Sequence, residues 1–254
     1  MEDSGEVRLR VDVLSLFPRM MDSFVAESML ARAICRGLLG FSSRSIREWA
    51  TDKHATTDDR PFGGGAGMVL KPEPICRAID ELRRENSRVI YLCPDGMPLR
   101  ADLVKQLAQE RHLILLCGHY EGIDERVRER SVDLEISIGD YILTNGVLAA
   151  AVLLDAVVRH VPGVLGAEQS LLQDSFNGNL LTYPQYTRPE VFEGRRVPEI
   201  LLNGDHKKID DWRKQQQIER TRRRREDLFG KYENERENSK GIGGLHQGGA
   251  AEQF

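Results

Sequence analysis

Three stretches of the chain end an apolar run in the same way, with glycine, tyrosine and a carboxylate close together. They are Tyr91-Leu92-Cys93-Pro94-Asp95-Gly96, Leu115-Leu116-Cys117-Gly118-His119-Tyr120-Glu121-Gly122 and Ser137-Ile138-Gly139-Asp140-Tyr141-Ile142-Leu143-Thr144-Asn145-Gly146. Backbone amides at the strand ends of a covered sheet are free to hold a ligand. Glycines let such a backbone approach closely, while Tyr120 and the Glu121 carboxylate can fix a ligand's orientation. Three exits of like chemistry point to one small-molecule pocket.

A second chemically loaded stretch is the polar loop from Thr51 to Met68. Gly63, Gly65 and Gly67 mimic a dinucleotide-binding fingerprint. That motif must follow an apolar strand directly, and here a polar run and Pro61 precede it. Long loops without regular structure are often functional. This one is expected to contact substrate, through His54, Asp58, Gly64 and Gly67. The histidines show no metal-ligand spacing. Cys35, Cys76, Cys93 and Cys117 are far apart and form no CxxC pair, so they read as thiols of a reducing compartment.

The elements that must position these loops follow from periodicity. Val7 to Val13 alternates apolar and polar, predicting a strand with one exposed face. Met20 to Leu39 has helical spacing, with Gly40 expected as its C-terminal cap. Pro72 to Asn86 predicts an amphipathic helix. Strand Val89 to Leu92, helix Arg100 to Glu110 and strand Leu113 to Cys117 alternate as in a βαβ unit, and Val132 to Ile138 predicts a further strand. Gly146 to His160 reads as an apolar helix. This is an α/β pattern, with a parallel sheet covered on both faces.

The character of the chain changes after Gly166. Residues 166–181 read as a flexible interdomain linker, and residues 182–232 as a small helical domain. In it, Asp205 is expected to cap a helix from His206 to about Phe229. The polar, glycine-rich residues 233–254 read as a disordered tail. Net charge is −4, so the whole molecule is not a polycation, and a nucleic-acid surface must come from local clustering such as Arg222 to Arg225. The N-terminus lacks the apolar core of a signal peptide, and Val147 to Val158 is too short to span a bilayer. A cytoplasmic protein without membrane contact is expected.

Taken together, several blocks resemble the bacterial tRNA (guanine-N1)-methyltransferase family of the SPOUT superfamily. They are Asp58 to Met68, Cys117 to Val127, Ser137 to Leu143, Pro162 to Gly166, Asp174-Ser175-Phe176 and Tyr186 to Glu190, in family order. The resemblance implies a trefoil-knotted methyltransferase domain over residues 1–165 and a tRNA-binding role for residues 182–232. It also implies a homodimer with the active site shared between subunits, S-adenosylmethionine as methyl donor, and a requirement for magnesium. By position, the cofactor site would comprise Tyr91, Leu92, Cys93, Pro94, Gly118, Tyr120, Glu121, Gly122, Ile138, Gly139, Asp140, Tyr141, Ile142, Leu143 and Gly146. Asp174 matches the family's general base and Arg159 its partner.

The chemistry suits those residue types. N1 of guanine carries a proton at neutral pH and attacks poorly until that proton is removed. A carboxylate near N1 and a cation near O6 meet both needs. The expected product is 1-methylguanosine at guanine 37 of tRNA. The alternatives are a knotted methyltransferase acting on a ribose 2′-hydroxyl or on ribosomal RNA, and a non-catalytic RNA binder. Two departures bear on the cofactor site. Asn145-Gly146-Val147-Leu148-Ala149 replaces the usual Gly-Gly-Glu-Leu-Pro, and His119 stands where arginine is common.

Overall fold

In the computed structural model, which describes residues 7–165 and 174–243, the chain opens on β1 (Leu9–Ser15), α1 (Arg19–Val25) and α2 (Ser28–Cys35). The sheet strand β2 (Leu39–Ser45) and the short pair β3 (Asp58–Asp59) and β4 (Val69–Leu70) follow. Next come α3 (Pro72–Leu82), β5 (Ser87–Pro98), α4 (Ala101–Leu107) and β6 (His112–Cys117). Then α5 (Glu125–Ser131), β7 (Leu134–Ser137) and α6 (Val147–Val158) complete this part.

Five strands pair in the order β2-β1-β6-β5-β7, every pair parallel. Side chains alternate between the two faces of each strand. Leu113, Leu115 and Cys117 therefore join one core with α1, α2, α4 and α6, while Ile114 and Leu116 join the other with α3 and α5. All six residues of β6 are buried, as a central parallel strand requires. The fold class is α/β, as the periodicity predicts.

Several elements differ from expectation. The helix expected from Met20 to Leu39 is two helices, because Ser28 turns left-handed at φ 58°. Gly40 lies in β2, and the end of α2 is closed at Gly37 instead, with Gly37 N–H donating to the Ile34 carbonyl and Leu38 N–H to that of Ala33. β1 has no exposed face: its one acidic side chain, Asp12, is buried against His112.

The chain divides into two compact units between residues 166 and 167. The second contains β8 (Val191–Phe192), β9 (Arg195–Arg196), α7 (His206–Arg224) and α8 (Glu226–Gly243). Asp205 caps α7, its carboxylate accepting from Lys208 N–H at 3.2 Å. The single helix expected to about Phe229 breaks at Arg225, whose φ/ψ of −142°/73° is not helical. α8 then runs to Gly243, so residues 233–243 are helical where a disordered tail was expected. Residues 244–254 of that tail lie outside the described residues, as do residues 166–173 of the expected linker. The rest of the linker is not loose. Leu180 is buried and Leu181 N–H donates to Thr221 Oγ1 at 2.9 Å, tying the stretch to α7.

Candidate active site

At the C-terminal ends of β5, β6 and β7 the three glycine-bearing exits enclose a cavity of about 540 Å³, well within the range of small-molecule sites. Its wall contains Tyr91, Leu92, Cys93 and Pro94 from the first exit, Gly118, Tyr120, Glu121 and Gly122 from the second, and Ile138, Gly139, Tyr141, Ile142, Leu143 and Gly146 from the third. Asp140 is the one expected member that does not line it; it is exposed beside the wall. The wall also contains residues outside the expected cofactor set: Asp95, His119, Ser137, Thr144 and Asn145, which lie within the three exits, and Ile123, Arg128, Ile136 and Ala149, which lie outside them. Arg128 is the residue immediately after the matching block that ends at Val127, on α5, and only the folding of that helix against β5 brings it in.

The exits are locked together by backbone contact. Gly146 N–H donates to the Gly118 carbonyl at 2.8 Å, and His119 bridges Asn145 in antiparallel fashion. A Cβ on Gly146 would fall 2.9 Å from the Gly118 nitrogen, closer than real side chains approach. Only glycine permits this crossing. Asn145 also stabilises the start of α6, its side-chain oxygen accepting from Val147 N–H at 3.0 Å. The Asn145 side chain thus supplies a contact that a glycine at this position would lack. Tyr120 holds φ at 55°, a region sparsely populated by aromatic residues and often found where a site is strained into shape.

The polar loop meets the same exits at one end. Glu121 N–H donates to the Met68 carbonyl at 3.0 Å and Leu70 N–H to the Gly122 carbonyl at 3.0 Å. Gly67 packs directly on the Glu121 side chain. His54, Asp58 and Gly64 do not line the cavity. His54 is exposed on a turn where Asp52 accepts from its N–H, Asp58 pairs with Leu70, and a Cβ on Gly64 would meet nothing within 4 Å.

Electrostatics of the wall are set by burial and by Arg128. Burial pushes the Tyr91 phenol well above its ordinary range. Burial, reinforced by Asp95, pushes the Cys93 thiol up to about 12, so neither group ionises near neutrality. The Arg128 guanidinium beside Asp95 holds that carboxyl below the usual range. Arg159 ends α6 in the first unit, half-buried, and Asp174 lies exposed in the second.

A sequence model described as tRNA (Guanine-1)-methyltransferase TrmD matches residues 9–231. The chain belongs to this family. Among its relatives is the tRNA (guanine-N(1)-)-methyltransferase of Chlamydia abortus, 54% identical over 230 residues, covering 91% of this chain and 64% of the relative. That of Anoxybacillus flavithermus is 50% identical over 228 residues, covering 89% and 93%. That of Protochlamydia amoebophila is 53% identical over 219 residues, covering 86% and 99%. This chain thus spans a little under two thirds of the chlamydial relative's length and nearly all of the other two. The family match contains all three exits and both candidate catalytic residues.

Proposed function

We propose that this chain methylates N1 of guanine 37 in tRNA, using S-adenosylmethionine. The observation that carries the reading is the convergence of three glycine-bearing strand exits on one cavity, within a chain of this family. The walls suit such a donor: close-packed glycine backbone on one side, Ile136, Ile138, Leu143 and Ala149 on another, and carboxylates at Asp95 and Glu121. When bound there, the donor supplies an electrophilic methyl group on a sulfonium. The backbone of Gly118 to Gly122 and Ile138 to Leu143 would hold the donor and exclude water, and the Glu121 carboxylate would offset its positive charge. Asp174 takes the proton from guanine N1, and Arg159 stabilises the charge left on O6. His54, Asp58, Gly64 and Gly67 belong to the loop that meets the substrate.

The knotted topology that the family resemblance implies for residues 1–165 is part of the same reading, with the Gly146 N–H to Gly118 carbonyl bond joining the second and third exits. A homodimer with a shared active site is supported by exposed apolar side chains on packed helices: Met20 and Phe24 on α1, Leu148 and Val152 on α6. Patches of this kind mark association surfaces. Arg222 to Arg225, exposed on the second unit, suit the phosphates of tRNA. The guanine must leave its stack to reach a cavity at the sheet. No helix among the described residues is long and apolar enough to cross a membrane, which accords with a cytoplasmic enzyme. Among the described residues no group of three or more His, Cys, Asp or Glu side chains gathers as a metal site. Magnesium usually keeps several waters and takes few protein ligands; no step is assigned to it.

The test is methyl transfer from S-adenosylmethionine to a tRNA transcript carrying guanine 37, with and without magnesium, followed by nucleoside analysis. The expected product is 1-methylguanosine, absent when adenine replaces the guanine. A ribose methyl, or no transfer, overturns the reading. Asp174→Ala is expected to abolish transfer while leaving cofactor affinity nearly intact.

A further inference from the structure

One arginine of the cavity wall has no part in the chemistry above, yet it joins three elements. The β5–β7 ladder runs from Leu92 opposite Ile136 straight to Met97 opposite the same Ile136, so residues 93–96 are thrown out of the sheet. That excursion forms one side of the cavity. An excursion of four residues without ladder bonds needs another restraint if it is to present a fixed surface. Arg128, on α5, supplies it. Its Nη2 donates to Asp95 Oδ2 at 2.7 Å, while Nε donates to Glu135 Oε1 on β7 at 2.7 Å and Nη2 also reaches Glu135 Oε2. Nη1 lies 3.5 Å from Glu125 Oε2, and the guanidinium sits 5.6 Å from the centre of the Tyr91 ring. The planar fork of arginine can serve several acceptors in this way, and lysine cannot.

We infer that Arg128 is the positioning residue of the donor site, holding Asp95 and its excursion against β7 in the shape the ligand requires. The inference rests on the proposed function, since the ligand is taken to be the methyl donor. The two halves of the arrangement differ in role. The Glu135 half joins α5 to the sheet and belongs to stability; the Asp95 half, whose side chain is 61% exposed on the cavity wall, faces the ligand. Asp95 gains nothing for the core from being held, which separates a binding role from a structural one.

The experiment is calorimetric titration of the full chain with S-adenosylhomocysteine, which has the donor's skeleton without the methyl, alongside methyl-transfer kinetics. Arg128→Gln is expected to weaken binding about tenfold, the loss of one charge-assisted hydrogen bond. The KM for donor should rise by a like factor, with kcat at saturation nearly unchanged. Arg128→Lys should recover little. Glu135→Gln should lower thermal stability and leave affinity alone. In an Asp95→Asn background, Arg128→Gln should cost much less affinity than in the wild type, because the arginine acts through that carboxylate. Asp95 is exposed, so its substitution stays informative even if Arg128→Gln fails to fold, and in that case Arg128→Lys completes the cycle. Unchanged affinity in both arginine variants, or full additivity with Asp95→Asn, overturns the role of Arg128. A wild-type chain that binds no S-adenosylhomocysteine overturns the proposed function itself, and the inference with it.

Discussion

His112 Nε2 lies 2.7 Å from Asp12 Oδ2, with both side chains almost wholly buried at the end of the sheet away from the cavity. Ser87 Oγ lies 2.7 Å from His112 Nδ1 and accepts from Arg84 N–H, and Arg10 Nε approaches Asp12 at 3.3 Å. Burial alone would raise the Asp12 carboxyl, but the His112 hydrogen bond and Arg10 more than offset it, and the carboxyl lies below its ordinary value.

A pH dependence of stability follows from that depressed value. The contribution of Asp12 is complete above the unfolded carboxyl's pKa, about 3.9. It is lost as pH falls through the lower folded value. Asp12→Ala, which leaves a buried imidazole nitrogen unpaired, should destabilise by about 2 kcal/mol at neutral pH. The difference from wild type should shrink toward pH 3. Urea unfolding at a series of pH values measures both effects.

Gly67 occupies φ 80°, and a Cβ there would meet the Glu121 carboxylate head-on. Gly67→Ala therefore carries left-handed strain and a clash, together about 1–3 kcal/mol. Because Glu121 is part of the cavity, the cost should appear in kcat/KM for the donor as a fall of about tenfold or more. Placing the same change in a Glu121→Ala background should return part of the lost thermal stability, which calorimetry will show.

The exposed apolar faces of α1 and α6 make a prediction about association. Phe24→Asp and Val152→Asp each place a charge among exposed apolar side chains without touching the core, since both positions are solvent-facing. Either should weaken self-association by about 2 kcal/mol or more. Sedimentation should show less self-association than for the unsubstituted chain, with methyl transfer lost in parallel.

For the arginine run, Arg223→Gln with Arg224→Gln should weaken tRNA binding and reduce the slope of log affinity against log salt by about 2. S-adenosylhomocysteine binding should not change. An unaltered slope would remove these side chains from the RNA surface.

What the sequence by itself determined was local. Parallel strands buried on both faces must be apolar throughout, so β5 and β6 were legible as Val89 to Leu92 and Leu113 to Cys117. The three exits were legible because glycine next to tyrosine and carboxylate is meaningful wherever it occurs. Asp205 was legible as a cap, since that bond spans only three residues. The break at Ser28 was not, because a serine in a left-handed turn carries no mark in composition. β2 escaped notice because its single fully buried residue, Leu39, gives no periodicity at the sheet edge. The helical course of residues 233–243 was hidden by a polar composition that fits helix and tail equally.

Only the tertiary structure decided which distant residues meet. Arg128 reaches Asp95 across thirty-three positions and His112 reaches Asp12 across a hundred, and the buried acid reversed the expectation of an exposed face on β1. Pairing at such separations follows from the order in which parallel strands are laid side by side, which no local pattern encodes. A charged residue looks alike in sequence whether water or another strand receives it.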